Sequence, residues 1–222
     1  MKYFKDWTLF EKLWLFIFTA VNIYLFFAWD DTWIGLTASL SGMLCVVLTA
    51  KGKMSSFYWG LVNILAYSYV AYKSAYYGDV GLNMLYFLPM TFVGIYYWGK
   101  NLNKDTVKVR SMTMKQWIYW GIISTISIIV LGMGLEKVGG TLPFVDSTTT
   151  VFSIVAQVLL NKRYTEQWFY WILVDIWSIV MWFHIFLRDG NNVSMLVMWT
   201  AFLVNAIYGY YNWTKLEEQN YA

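Results

Sequence analysis

The sequence is short of charge, proline, cysteine and histidine. Charged residues make up 13% of its 222 positions, against about 25% in a soluble domain. So little polar surface cannot cover a water-soluble globule, and a bilayer has to serve as the solvent. The single cysteine, Cys45, excludes an intramolecular disulfide and a Cys-based metal cluster; in an apolar stretch it reads as a small packing residue. There are two prolines, Pro89 and Pro143, and one histidine, His184. No H-E-x-x-H motif and no paired carboxylates inside an apolar stretch suggest a membrane hydrolase. No G-x-x-x-x-G-K-[ST] loop is present, and no polar segment is long enough for an ATP-binding domain or a nucleic-acid domain. No lysine sits mid-span where a retinal Schiff base would need it. These absences leave no enzyme class standing, and no cofactor, metal or nucleic-acid partner is expected.

Hydrophobic residues, by contrast, make up 59% of the chain and aromatic ones 21%. A bilayer is crossed by about 20 apolar residues, and eight stretches qualify: 12–29, 33–50, 57–77, 83–98, 116–135, 142–160, 168–187 and 195–213. The first resembles a signal peptide but lacks a small-x-small site before Asp30-Asp31, so it is expected to be retained. Gly139-Gly140 marks a turn. The net charge of +3 matters less than its placement. With eight spans, one side holds all but Lys73, Lys137 and Arg188 of the 16 Lys and Arg. Positive charge stays in the cytoplasm during insertion, which places both termini there. Trp7, Trp29, Trp33, Trp98, Trp117, Trp168 and Trp213 lie near span ends, where an aromatic belt is expected.

Part of the chain occurs twice. Shifted by 112 positions, Thr37 falls on Thr149, Ser41 on Ser153 and Leu48 on Leu160. Trp59 to Ile64 fall on Trp171 to Ile176, and Ile95-Tyr96 on Ile207-Tyr208. Internal duplication of a multi-span unit marks transporter folds, with the substrate site between repeats near the bilayer midplane. The expected architecture is all-α and integral to the membrane: a parallel 3+1+3 repeat of SWEET type plus an extra N-terminal helix. Residues 33–98 form the first three-helix unit, 116–135 the linker helix, 142–213 the second unit and 12–29 the addition.

Polar side chains deep in a span usually face protein or a water-filled path, because lipid cannot satisfy them. Three stripes in the second unit keep helical spacing. Thr149, Ser153 and Gln157 fall at i, i+4 and i+8; Trp171, Asp175, Ser178 and Trp182 at i, i+4, i+7 and i+11; Asn205, Tyr208 and Asn212 at i, i+3 and i+7. The first unit keeps Thr37, Ser41, Asn63 and Tyr96. Hydroxyls such as Thr37 and Ser41 either line a path or bond their own backbone. Trp177 and His184 lie off the polar face and read as packing or oligomer contacts. Asp175 is the only carboxylate well inside a span, with no intramembrane Lys or Arg to pair with it, so a ligand or proton role is open beside a structural one.

The runs Asp146-Ser147-Thr148, Ser153 to Gln157, Lys162-Arg163-Tyr164 and Glu166 to Trp171, with Asn205 and Tyr208, resemble the PnuC nicotinamide riboside transporters. The likeness extends more weakly through Gly42, Gly60 to Asn63 and Tyr96-Tyr97-Trp98, and covers about 33–213. It implies a full-length SWEET fold and a homotrimer in the bacterial inner membrane. It also implies facilitated diffusion of nicotinamide riboside by alternating access, with trapping by a cytoplasmic riboside kinase. Asp175 stands where many relatives carry Asn, and the SWEET proline pattern is not reproduced. The residues fit the substrate: Trp182 and Tyr208 hold an aromatic cation, Asp175 balances its charge, and Gln157, Asn205 and Thr149 bond carboxamide and hydroxyls. The rival readings are a SWEET-like carrier of a neutral sugar or another vitamin, such as thiamine or riboflavin, and a non-transporting membrane receptor.

Overall fold

The computed structural model describes residues 7–28, 32–73, 80–103, 106–137, 139, 142–189 and 193–221. Asp30-Asp31, Trp29 and Gly140 lie outside the described residues. Helix α1 spans Leu9–Ala28, α2 Trp33–Ala50, α3 Ser55–Lys73, α4 Leu88–Gly99, α5 Met114–Lys137, α6 Pro143–Asn161, α7 Gln167–Asp189 and α8 Val193–Tyr221. The polar residues that follow the last apolar stretch continue α8 as far as Tyr221. Two two-residue strands, Leu102–Asn103 and Thr106–Val107, lie in the connection between α4 and α5.

Local chemistry sets the helix ends. Thr32 caps α2 by accepting the Gly35 N–H at 3.0 Å. Pro143 stands at the start of α6, where the missing N–H costs nothing, whereas Pro89 follows directly on helical residues. Pro89 also shapes what precedes it. Its ring crowds the carbonyl four residues back, and Leu82–Phe87 widens into a π-helix whose last bond runs from the Leu88 N–H to the Asn83 carbonyl.

By length and hydropathy, four described helices can cross a membrane: α1, α2, α5 and α6. Of the others, α4 has only 12 residues, α7 is apolar over Gln167–Met181, and α3 and α8 are rich in Trp and Tyr, which hydropathy scales rank low, and carry Asn63 and Asn205. Their outward faces are nonetheless apolar. On α7, Phe169, Ile176, Val180, Phe183 and Leu187 are exposed along one stripe, the pattern of a lipid-facing surface.

The chain divides into two units, the first holding α1–α4 and the second α5–α8. In unit 1, α1 packs on α2, α2 on α3, and α3 on α4 and the π-helix. In unit 2, α5 packs on α6, α6 on α7 and α7 on α8. The unit 2 core is built from Val151, Val155 and Leu159 of α6, with Met112, Tyr164 and Tyr170.

The two units repeat details that residue types alone do not show. In the α2–α3 turn, Gly52 N–H bonds the Thr49 carbonyl and Lys53 N–H that of Leu48. In the α6–α7 turn, Arg163 N–H bonds Leu160 and Tyr164 N–H bonds Leu159. Lys51 and Lys162 are the matching C-caps. Lys53 and Tyr164 each form an isolated bridge to the connecting segment of their own unit, with Thr106 and Arg110 respectively. These pairs are 111 positions apart, one fewer than the sequence register, because aligning residue types in an apolar chain follows side chains rather than backbone geometry. Phe57 and Trp98 meet edge to face at 4.8 Å in unit 1, and Trp168 and Trp213 at 6.0 Å in unit 2. Trp98, Trp168 and Trp213 are buried. They are internal packing residues rather than belt residues, a correction that helix rotation decides. Trp33 is exposed.

Candidate functional site

In unit 2, polar side chains are buried on three successively packed helices. Gln157 on α6, Asp175 and Ser178 on α7, and Asn205 on α8 are each at most 7% exposed. The helical periodicity explains why. On α7 the residues Tyr170, Val174 and Ser178, with Asp175 beside them, turn inward, while Ile176, Val180 and Phe183 on the far side are exposed. On α8 the inward row is Ala201, Asn205, Gly209 and Trp213. Gly209 is needed for that row: a Cβ there would lie 2.6 Å from the Trp168 ring. Its absence lets α8 close on the start of α7.

The remaining expected residues are placed differently. Gln157 donates through Nε2 to Asn161 Oδ1 at 3.2 Å. Thr149 donates to the Asp146 carbonyl at 2.9 Å, a bond to its own helix. Ser153, Tyr208 and Asn212 are half-buried. Trp182 lies on α7, but its side chain is outside the described residues. In unit 1, Asn63 of α3 donates to the Ala38 carbonyl of α2 at 2.8 Å. Gly42 faces that amide so closely that a Cβ would stand 2.8 Å from Asn63 Nδ2. Ser41 bonds the carbonyls of Thr37 and Ala38, and Thr37 that of Trp33, so both hydroxyls serve their own helix. Tyr96 is exposed, with Lys100 Nζ 4.0 Å from its ring centre and bonded to its hydroxyl.

A second polar group in unit 2 was not singled out from sequence. Glu166, in the α6–α7 turn, accepts the Met112 N–H at 2.8 Å. Its other oxygen and the whole Gln167 amide are buried without a partner among the described residues. Burial holds the Glu166 carboxyl above its ordinary range; the Met112 N–H opposes this and nearby Glu217 adds to it. Glu217, from the end of α8, accepts the hydroxyls of Ser111 and Thr165. Arg110 stacks on Tyr164 at 4.3 Å and donates to the Lys162 carbonyl at 3.0 Å. No local spacing in the sequence signals this group: Glu166 and its partner Met112 are 54 positions apart.

Long apolar helices whose polar side chains are buried against neighbouring helices mark an integral membrane protein with a polar interior. The model of the nicotinamide mononucleotide transporter family matches residues 32–215, and the chain belongs to that family. The nicotinamide riboside transporter PnuC of Neisseria mucosa is 37% identical over 224 residues, covering 98% of this chain and 85% of that protein. The protein of the same name from Haemophilus influenzae is 33% identical, covering 97% and 94%. A solved structure described as the vitamin B3 transporter PnuC superposes with a TM-score of 0.83 at 37% identity, covering 97% of this chain and 94% of that one. These relatives are named as transporters, not enzymes.

Proposed function

We propose that this protein carries nicotinamide riboside across the bacterial inner membrane by facilitated diffusion. The observation that carries the reading is the buried set Gln157, Asp175, Ser178 and Asn205 on three adjoining helices of unit 2, in a chain whose named relatives transport that riboside. The ligand is an aromatic cation bearing a carboxamide and hydroxyls. A carboxylate, two amides and a hydroxyl offer it donors and acceptors in both senses. Trp182 and Tyr208 supply ring contact, and Thr149, Ser153 and Asn212 extend the polar lining. In unit 1, Asn63 and Tyr96 take the positions that correspond to Asp175 and Tyr208.

The family description speaks of the mononucleotide, and the residues favour the riboside over it. A phosphate is usually held by Lys or Arg, and neither occurs between Pro143 and Asn161, Gln167 and Leu187, or Val193 and Thr214. Transport proceeds by alternating access between α2–α4 and α6–α8, a parallel 3+1+3 repeat with α5 as linker. The duplicated turn pattern and the matching aromatic pairs support that repeat. Both termini are cytoplasmic, as the placement of basic residues suggests. The working form is a homotrimer, and a cytoplasmic riboside kinase traps the product.

Counterflow in proteoliposomes tests the proposal. Labelled nicotinamide riboside should accumulate against unlabelled internal riboside at a rate unchanged by collapsing proton and sodium gradients. Counterflow of the mononucleotide alone, or of a sugar alone, would refute the riboside reading, and arrest by a protonophore would refute uniport.

A further inference from the structure

Glu11 and Lys51 lie outside every residue assigned to the substrate, yet they form the one salt bridge among the described residues. Glu11 closes a capping box at the start of α1. Its Oε2 accepts the Thr8 N–H at 2.7 Å, and its own N–H donates to Thr8 Oγ1 at 3.2 Å. The same Oε2 accepts Lys51 Nζ at 2.7 Å. Lys51 is the C-cap of α2. The side chains of Glu11 and Lys51 are 2% and 7% exposed, and Trp7 covers the ammonium at 5.2 Å. Further along α1, the Ser39 hydroxyl of α2 donates to Asn22 Oδ1 at 2.5 Å, and Asn22 Nδ2 donates to the Phe18 carbonyl at 2.8 Å.

Unit 2 contains the same device in neutral form, 105 positions later. Gln116 closes the box of Thr113 at the start of α5, its Oε1 accepting the Thr113 N–H at 2.9 Å. Its Nε2 donates to the Tyr164 hydroxyl at 2.8 Å. Tyr164 lies in the α6–α7 turn, as Lys51 lies at the α2–α3 turn. In each unit, the side chain that closes the cap of the first helix also grips the turn between the second and third.

We infer that Glu11 and Lys51 are positioning residues for transport: they fasten α1 to the α2–α3 turn, so that α1 moves with unit 1 as one body. Gln116 and Tyr164 fasten α5 to the α6–α7 turn in the same way. Each three-helix repeat therefore carries a fourth helix of its own, and α1 is the counterpart of the linker rather than an appendage. The chemistry suits a permanent joint. Separating a buried ion pair leaves an uncompensated charge, and hydrogen bonds between helices hold well where lipid offers no substitute. The inference rests on the transport reading given above.

The test uses the full chain in proteoliposomes with nicotinamide riboside counterflow. Glu11→Gln should slow counterflow several-fold while the half-saturating concentration stays put. The double exchange Glu11→Lys with Lys51→Glu should recover much of the rate. In a Cys45→Ser background, Glu11→Cys with Lys51→Cys should be slow until joined by a short bifunctional thiol reagent, and then regain the parental rate. Cross-linking that stops flux would show that the joint has to open, and would overturn the inference. So would a Glu11→Gln protein, monodisperse by gel filtration, that transports like the parent. If the parent carries no riboside, the transport reading fails by itself. Hydrogen exchange then decides the joint: faster exchange of α1 in Glu11→Gln, with α2 and α3 unchanged, supports it, and unchanged protection of α1 refutes it.

Discussion

Arg163 occupies, at φ 66°, the backbone position that Gly52 occupies at φ 63° in the other unit. Glycine adopts that conformation freely, whereas an L-residue there carries a cost of roughly 1–2 kcal/mol. Arg163 offsets it by donating from Nη1 to the Lys108 carbonyl at 2.9 Å, a charge-assisted bond worth about 1.5–3 kcal/mol. Arg163→Ala keeps the strain and loses the bond, while Arg163→Gly loses both. Thermal unfolding in detergent should rank the parent above Arg163→Gly, and Arg163→Gly above Arg163→Ala. An Ala variant as stable as the Gly variant would contradict the account.

Gly209 and Gly121 should respond to alanine with opposite signs. At Gly209 the new Cβ meets the Trp168 ring at 2.6 Å, and overpacking of this kind costs about 1–3 kcal/mol. At Gly121, inside α5, nothing lies within 4 Å, and helix propensity favours alanine by roughly 0.5–1 kcal/mol. The melting temperature should therefore fall for Gly209→Ala and hold or rise for Gly121→Ala.

Binding of nicotinamide riboside, measured calorimetrically, should separate site from scaffold. Trp182→Ala should lose about 1–2 kcal/mol, roughly ten-fold in affinity, for a desolvated cation–aromatic contact, and Trp182→Phe should recover part of it. Gln157→Ala and Asn205→Ala should each cost about 1–3 kcal/mol by leaving buried polar groups unpaired. Trp177→Ala and His184→Ala, both exposed, are the controls. Trp7 is unsuitable as a third, because it packs on Lys51. Controls that weaken binding as much as Gln157→Ala would discredit the assignment by helical face.

Asp175→Asn probes charge at constant shape. Hydrogen bonds to charged groups exceed neutral ones by about 1 kcal/mol, so affinity for the cationic riboside should fall roughly five-fold. Affinity for an uncharged nucleoside of the same outline should hold. Equal losses for both ligands would assign Asp175 a role in shape or folding rather than charge.

Glu166 sets a pH dependence whose sign follows from its raised folded pKa. Its stabilising share is complete below the ordinary value of 4.5 and is lost as pH rises through the raised one. Glu166→Gln keeps an acceptor for the Met112 N–H and removes the titration. From pH 4.5 upward, the variant's melting temperature should gain steadily on the parent's. A difference that stays constant across that range would place the titration elsewhere.

The sequence by itself determined the membrane class, the sites of the helices and three buried polar residues of α7 and α8, Asp175, Ser178 and Asn205. Each depends on local quantities. A span is a run of about 20 apolar residues, and a buried face is a row at helical spacing, so Asp175, Ser178 and Asn205 were legible as deep polar groups. The runs around Lys162–Trp171 also carried the family. Tertiary structure alone decided what those groups touch. Lys51 follows an apolar stretch with no acidic residue near it in sequence, yet it is buried on Glu11, 40 positions away. Trp98, Trp168 and Trp213 looked like a belt and are internal. Tyr96, read as a site residue, has Lys100 over its ring, a contact the spans did not suggest. The register between units is 111 at the turns rather than 112. The physical reason is common to all four: one residue turns a helix by about 100°, so which side chain meets which neighbour is set by how helices dock and where their turns close.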